Sequence, residues 1–189
     1  MPRLYRDYET RSTLDLKKVG AGRYAAHPST DVWCCAYAVD DGPVELWTPS
    51  EPIPAAFVKA SQNPDWTVNA FNAGFERATE RHIMGPRYGW PLAPIERQRC
   101  EQAAALALAL PAKLEKAAAA LGLPAQKDLA GAKVMREMSA PRKPVDGEDP
   151  LGVYWHDDPE RRARLGVYCR QDVEIERALH ARVGDLSPA

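Results

Sequence analysis

Three short segments of this chain put carboxylates where they can do chemistry. The first is DYE, in which Asp7 and Glu9 are separated by one residue. Alternate side chains of a strand face the same way, so both carboxylates project from one face. Two like charges there are unfavourable unless a cation lies between them, and hard divalent cations prefer oxygen ligands. An exposed edge strand would tolerate the same pair without a metal. The second segment is a helical stripe of Leu165, Tyr168, Asp172, Ile175 and Leu179, whose steps of three and four residues hold it to one face. Asp172 interrupts that apolar face, and a buried carboxylate needs an arginine or a metal beside it. Tyr168 stands one turn earlier, within reach of the same place. The third segment is NAGFE, residues Asn72 to Glu76. A strand ends there, Gly74 permits a close turn, and Glu76 enters the first turn of a helix. An acid at that point equally serves the helix dipole, and Asn72 suits the cap.

In this order the three segments resemble the three exonuclease motifs of the DnaQ-like (DEDD) superfamily. The tyrosine marks the DEDDy subgroup, which includes the proofreading domain of family A polymerases. The sister subgroup carries a histidine five residues before the last aspartate, a position held here by Val167. DYETRSTLDLKKVGAGRYA, LEKAAAALGLPAQKD and YCRQDVEIERAL look like the N-terminal exonuclease region of phage-type family A DNA polymerases. The resemblance runs from about Leu4 to Pro188. It implies a ribonuclease-H-like α/β fold with a mixed central sheet flanked by helices. It also implies one 3′–5′ exonuclease domain over 1–189, with 183–189 opening a linker toward a polymerase domain that the chain lacks.

The activity so implied is removal of nucleoside 5′-monophosphates from the 3′ end of single-stranded DNA, as in proofreading during DNA replication. Two divalent ions, Mg²⁺ or Mn²⁺, would be held by Asp7, Glu9 and Asp172, with Glu76 bound directly or through water. Tyr168 would orient the attacking water, since a phenol is a poor base near neutral pH. Glu76 is a departure, because that position is usually aspartate; the extra methylene moves the carboxylate by roughly an ångström. Asn72, Phe75, Thr10 and Lys127 are the candidate substrate contacts, with Arg142 and Lys143 as further candidates for phosphate. Phe75 reads first as a core ring and Asn72 first as a helix cap. Tyr24, Trp33, Trp90 and Trp155 read as core or loop packing.

Several elements must position these groups. Strands are expected at Arg3 to Thr10, Val32 to Val39, Val44 to Thr48 and Thr67 to Phe71. Asp41-Gly42 signals a hairpin turn between the second and third. Helices are expected at Ile53 to Ala60, Gly74 to Met84, Glu96 to Leu110, Ala112 to Leu121 and Lys127 to Met138. The last helix should begin at Pro159, capped by Asp158, and run to about Val183. Ala140 to Pro150 reads as a proline-rich, charged, mobile loop. The first strand is unusually polar, and Arg6 is expected to face outward.

Composition narrows the function classes. The chain has 189 residues and is 45% hydrophobic, enough for one domain with a true core. Lys and Arg number 25 against 26 Asp and Glu, a net charge of −1, so this is no strongly basic duplex binder. None of Cys34, Cys35, Cys100 and Cys169 lies in a C-x-x-C pair, which argues against a zinc knuckle or a disulfide framework and suits a cytoplasmic protein. No apolar run is long enough for a membrane span, so no membrane partner is expected. A single-stranded DNA 3′ end is the expected partner, together with a polymerase domain or other replication machinery. Three other readings remain open: a catalytically silent scaffold of the same fold, an RNA or oligonucleotide exonuclease, and an unrelated α/β binding protein.

Overall fold

The computed structural model describes residues 1–124 and 128–186. Lys127 and residues 187–189 of the expected linker lie outside the described residues.

In chain order the strands are β1 (Arg3–Arg11), β2 (Asp31–Val39), β3 (Glu45–Trp47), β4 (Thr67–Ala70) and β5 (Gln98–Cys100). They form one sheet in the order β3-β2-β1-β4-β5. β2 runs antiparallel to β1 and to β3, whereas β4 is parallel to β1 and β5 is parallel to β4. The result is a mixed five-stranded sheet flanked by helices, compatible with a ribonuclease-H-like fold. β1 is therefore the central strand, not an exposed edge. Alternation along it sends Leu4 and Tyr8 into one core and Tyr5 into the other.

The helices are α1 (Leu16–Ala26), α2 (Ala55–Gln62), α3 (Ala73–Thr79), α4 (Gly85–Tyr88), α5 (Glu101–Ala107), α6 (Leu114–Ala120), α7 (Leu129–Ser139) and α8 (Pro159–Val183). On one side of the sheet Leu4, Tyr8, Cys35 and Val68 pack against Phe57, Ile83, Met84 and Trp90. On the other side Tyr5, Cys34 and Ala36 meet Met138 of α7 and Leu165, Cys169 and Val173 of α8. No helix among the described residues is long and apolar enough to cross a membrane.

Four expectations need correction. α1 is absent from the sequence reading because Gly20 and Gly22 weaken its helical signal; Asp15 nevertheless caps it, and Gly20 kinks it at φ 76°. The helix expected over Glu96 to Leu110 instead opens with a 3₁₀ turn (Ile95–Arg97) and strand β5, so α5 begins only at Glu101. β5 is three residues long and polar; its strand character comes from pairing with β4 rather than from its own pattern. Arg6 does not face outward. It is fully buried on the Leu4 and Tyr8 side, and its Nε donates to Glu80 Oε1 at 2.6 Å. Finally, the Ala140 to Pro150 loop is tied down. Arg142 pairs with Glu148 at 2.6 Å, lies over the Tyr154 ring and bridges to Tyr154 through the backbone.

The helical stretch after β4 explains how Glu80 reaches Arg6. α3 runs into a π-helical turn (Glu80–Met84) and then into α4. Gly85 donates to the Glu80 carbonyl five residues back. Pro86 has no N–H and its ring crowds the carbonyl four residues earlier, so a widened turn before it relieves both problems.

Candidate metal and nucleic-acid site

Asp7 and Glu9 project from the α8 side of β1. Across the sheet Glu9 lies opposite Cys34, and the register then slips so that Thr10 pairs with Val32. Such a bulge commonly re-aims side chains beside a functional site. The Asp7 and Glu9 carboxylates and the Cys169 thiol each offer a ligand atom, all within 4.8 Å of one another. Cys169 donates to Asp7 Oδ2 at 3.4 Å. Asp172 is one turn along α8 from Tyr168, whose hydroxyl hydrogen-bonds its carboxylate.

The electrostatics are those of acids gathered without a counter-charge. Burial raises Asp7 to about 6, against the pull of hydrogen bonds from Cys169 and the Tyr8 backbone. Burial, then the charge of Asp7, raises Asp172 to about 8, offset by Tyr168. Glu9 is pushed well above the carboxylate range by burial, Asp7, Cys34 and Asp172. Glu76 is pushed up by burial and Asp7, and drawn down by Arg6. Its Oε2 is buried with no hydrogen-bond partner. The Tyr168 phenol is also raised, by burial and then by the Asp172, Glu9 and Asp7 charges, so it stays a proton donor.

Asp7, Glu9, Tyr168 and Asp172 line a cavity of about 770 Å³. The rings of Phe75 and Tyr24 line it as well, with centroids 6.2 Å apart. Phe75 is thus half-buried at the cavity instead of a core ring. Tyr24 is buried, as expected, yet it also lines the cavity, and its hydroxyl lies 3.0 Å from that of Thr10. Asn72 occupies the cap position of α3, but its side chain makes no capping bond. Its ψ of 68° departs from the extended backbone that aims a cap side chain at the helix. The capping is done by its carbonyl, which accepts from the Phe75 amide at 2.8 Å.

Three exposed cations, Lys17, Lys113 and Arg136, also line the cavity. No ion pair among the described residues engages any of them. The other basic clusters are committed elsewhere: Arg142 to Glu148, Arg161 to Asp158, Arg162 to Asp157 and Arg164 to Asp128. Arg142 is therefore not free for phosphate, and Lys143 does not line the cavity.

This chain is similar to a phage DNA polymerase. It is 35% identical over 186 residues to the DNA polymerase of Bacillus phage SP02. The match takes in 96% of this chain but only 28% of that protein's length. No family model matches the chain.

Two acidic-site neighbours escape sequence reasoning. Cys169 follows Tyr168 with no spacing that marks it. Glu176 did carry a signal, because it stands four residues after Asp172, as Asp172 does after Tyr168. Glu176 is 1% exposed, and one of its oxygens has no partner. It is raised by burial, Glu101, Glu76 and Asp7. Glu101 behind it is anchored by His180 at 2.8 Å and by Asn69 at 2.6 Å.

Proposed function

We propose that this chain is a metal-dependent 3′–5′ exonuclease acting on single-stranded DNA, in the service of proofreading. The observation that carries the reading is the convergence of Asp7 and Glu9 from β1 with Tyr168 and Asp172 from α8 on one open cavity. The donor set fits divalent cations. Its carboxylates are buried, mutually repelling and unpaired with any arginine, apart from Glu76, which feels Arg6, and hard cations take such oxygens. Asp7, Glu9 and Asp172 would hold the ions, with Glu76 directly or through water. When bound, such ions make hydroxide available near neutral pH and stabilise charge on the leaving oxygen.

The chain's own side chains have separate tasks. Tyr168 remains protonated and is tethered to Asp172, which suits it to orient a water rather than to remove its proton. Phe75 and Tyr24 offer ring faces on which a terminal base can stack. Lys17, Lys113 and Arg136 are available to backbone phosphates. The phage relative, by name a DNA polymerase, supports DNA as substrate and association with polymerisation.

The experiment is product analysis. Single-stranded DNA incubated with the chain and Mg²⁺ or Mn²⁺ should yield nucleoside 5′-monophosphates, and none with EDTA or with Asp7→Asn. Binding without hydrolysis by folded protein would favour the silent scaffold, for which Glu76 in place of aspartate is the best support. Faster hydrolysis of a matched RNA would shift the substrate.

A further inference from the structure

Cys169 has no task in the proposed reaction, yet it stands among the groups that would perform it. Its side chain is fully buried. Its Sγ donates to Asp7 Oδ2 at 3.4 Å and is 3.5 Å from the Asp7 carbonyl oxygen. Together with one oxygen each from Asp7 and Glu9 it completes a three-donor set within 4.8 Å. Cys34 lies opposite Glu9 across the sheet and hydrogen-bonds Cys169. Sulfur thus adjoins the acids from both α8 and β2. The other two cysteines are elsewhere: Cys35 belongs to the opposite core, and Cys100 donates to the Phe71 carbonyl at 3.4 Å.

An all-oxygen set favours Mg²⁺, which demands octahedral geometry and keeps several waters. One thiolate beside two carboxylates changes that preference. Zn²⁺ accepts mixed cysteine and carboxylate ligands in a tetrahedral site with an open fourth position, and soft thiolates select such ions over Mg²⁺ and Mn²⁺. We infer that Asp7, Glu9 and Cys169 form a mixed sulfur–oxygen site for a thiophilic divalent cation of the Zn²⁺ class, an inference that rests on reading the acidic cluster as a metal site. Coordination exchanges the thiol hydrogen for the metal. The hydrogen bond to Asp7 Oδ2 is lost, the S–metal bond forms, and the proton leaves to solvent.

Cd²⁺ is the probe, because a cadmium–thiolate bond absorbs in the ultraviolet and a cadmium–carboxylate bond does not. The full chain, freed of metal by chelation, is titrated with Cd²⁺ by absorbance and in parallel with Mn²⁺ by the loss of its free-ion spin-resonance signal. The expected result is a saturable charge-transfer band in the wild type. Cys169→Ser should abolish the band and weaken Cd²⁺ binding by about tenfold or more while Mn²⁺ affinity changes by less than about threefold. Cys34→Ser should keep the band. Circular dichroism establishes folding of each variant, and Cys169→Ala replaces the serine variant if that one does not fold. Mn²⁺ binding with no cadmium band in the wild type overturns this inference and leaves the metal reading standing. A band that survives loss of Cys169, or that vanishes with Cys34 instead, also overturns it. Failure of both ions to bind removes the metal reading together with this inference.

Discussion

Neutralising one acid of the central pair should stabilise the metal-free protein. The Asp7 and Glu9 ligand atoms lie within 4.8 Å, and two unit charges about 5 Å apart repel by roughly 3 kcal/mol at an effective dielectric near 20. Protonation already relieves part of that strain, so Glu9→Gln should recover about 1–2 kcal/mol near pH 8. For a chain of this size that is a rise in Tm of roughly 2–6 °C. The gain must depend on pH in a definite direction. Asp7 is raised to about 6 and Asp172 to about 8. Raised carboxylates contribute stability that is present at low pH and is lost as pH rises through those values. The wild type without divalent ions should therefore weaken between about pH 5 and pH 8, and the advantage of Glu9→Gln should shrink toward pH 5. Mn²⁺ should reverse the ranking, because an ion at about a hundred times its Kd stabilises the wild type by about 2.7 kcal/mol. The assay is thermal unfolding at both pH values, in EDTA and in Mn²⁺. A lower or unchanged Tm for Glu9→Gln near pH 8 in EDTA would refute the claim that these two acids oppose one another.

Three further outcomes follow from particular side chains. Arg6→Met should cost about 3–5 kcal/mol in urea unfolding, because it strands Glu80 in the core; adding Glu80→Met should restore most of that stability. Alanine at Gly131 would bring a Cβ within 2.6 Å of Tyr168 Cδ2, so Gly131→Ala should slow turnover while leaving Mn²⁺ affinity unchanged, despite the gain of about 1 kcal/mol that alanine ordinarily gives a helix. Removing Lys17, Lys113 or Arg136 should each flatten the salt dependence of single-stranded DNA binding, by about 0.7 in the slope of log K against log salt for every phosphate that is no longer neutralised; an unchanged slope would take that residue off the phosphate path.

The acids were legible because two periodicities expose them. A step of two along β1 and steps of three and four along α8 mark Asp7, Glu9, Tyr168 and Asp172 whatever the rest of the chain does. α8 itself follows from Asp158, Pro159 and Gly184, and its observed bounds, Pro159–Val183, match the sequence reading. What stayed hidden depends on partners distant in sequence. Nothing near Arg6 announces Glu80, which lies 74 residues away, so an arginine inside a central strand reads as outward-facing. β5 becomes a strand only beside β4. Cys169 becomes a candidate ligand only when α8 packs on β1. Phe75 reads as core because its aromatic type is visible in sequence, while the cavity beside it is not.

The most direct test of the account is digestion of a 5′-labelled single-stranded DNA by the wild-type chain with Mg²⁺ or Mn²⁺, beside Asp7→Ala and EDTA controls. The account predicts a ladder of labelled products shortening stepwise from the 3′ end, absent from both controls. Labelled DNA left intact by folded protein with either metal, or label released at once as a mononucleotide from the 5′ end, would contradict it.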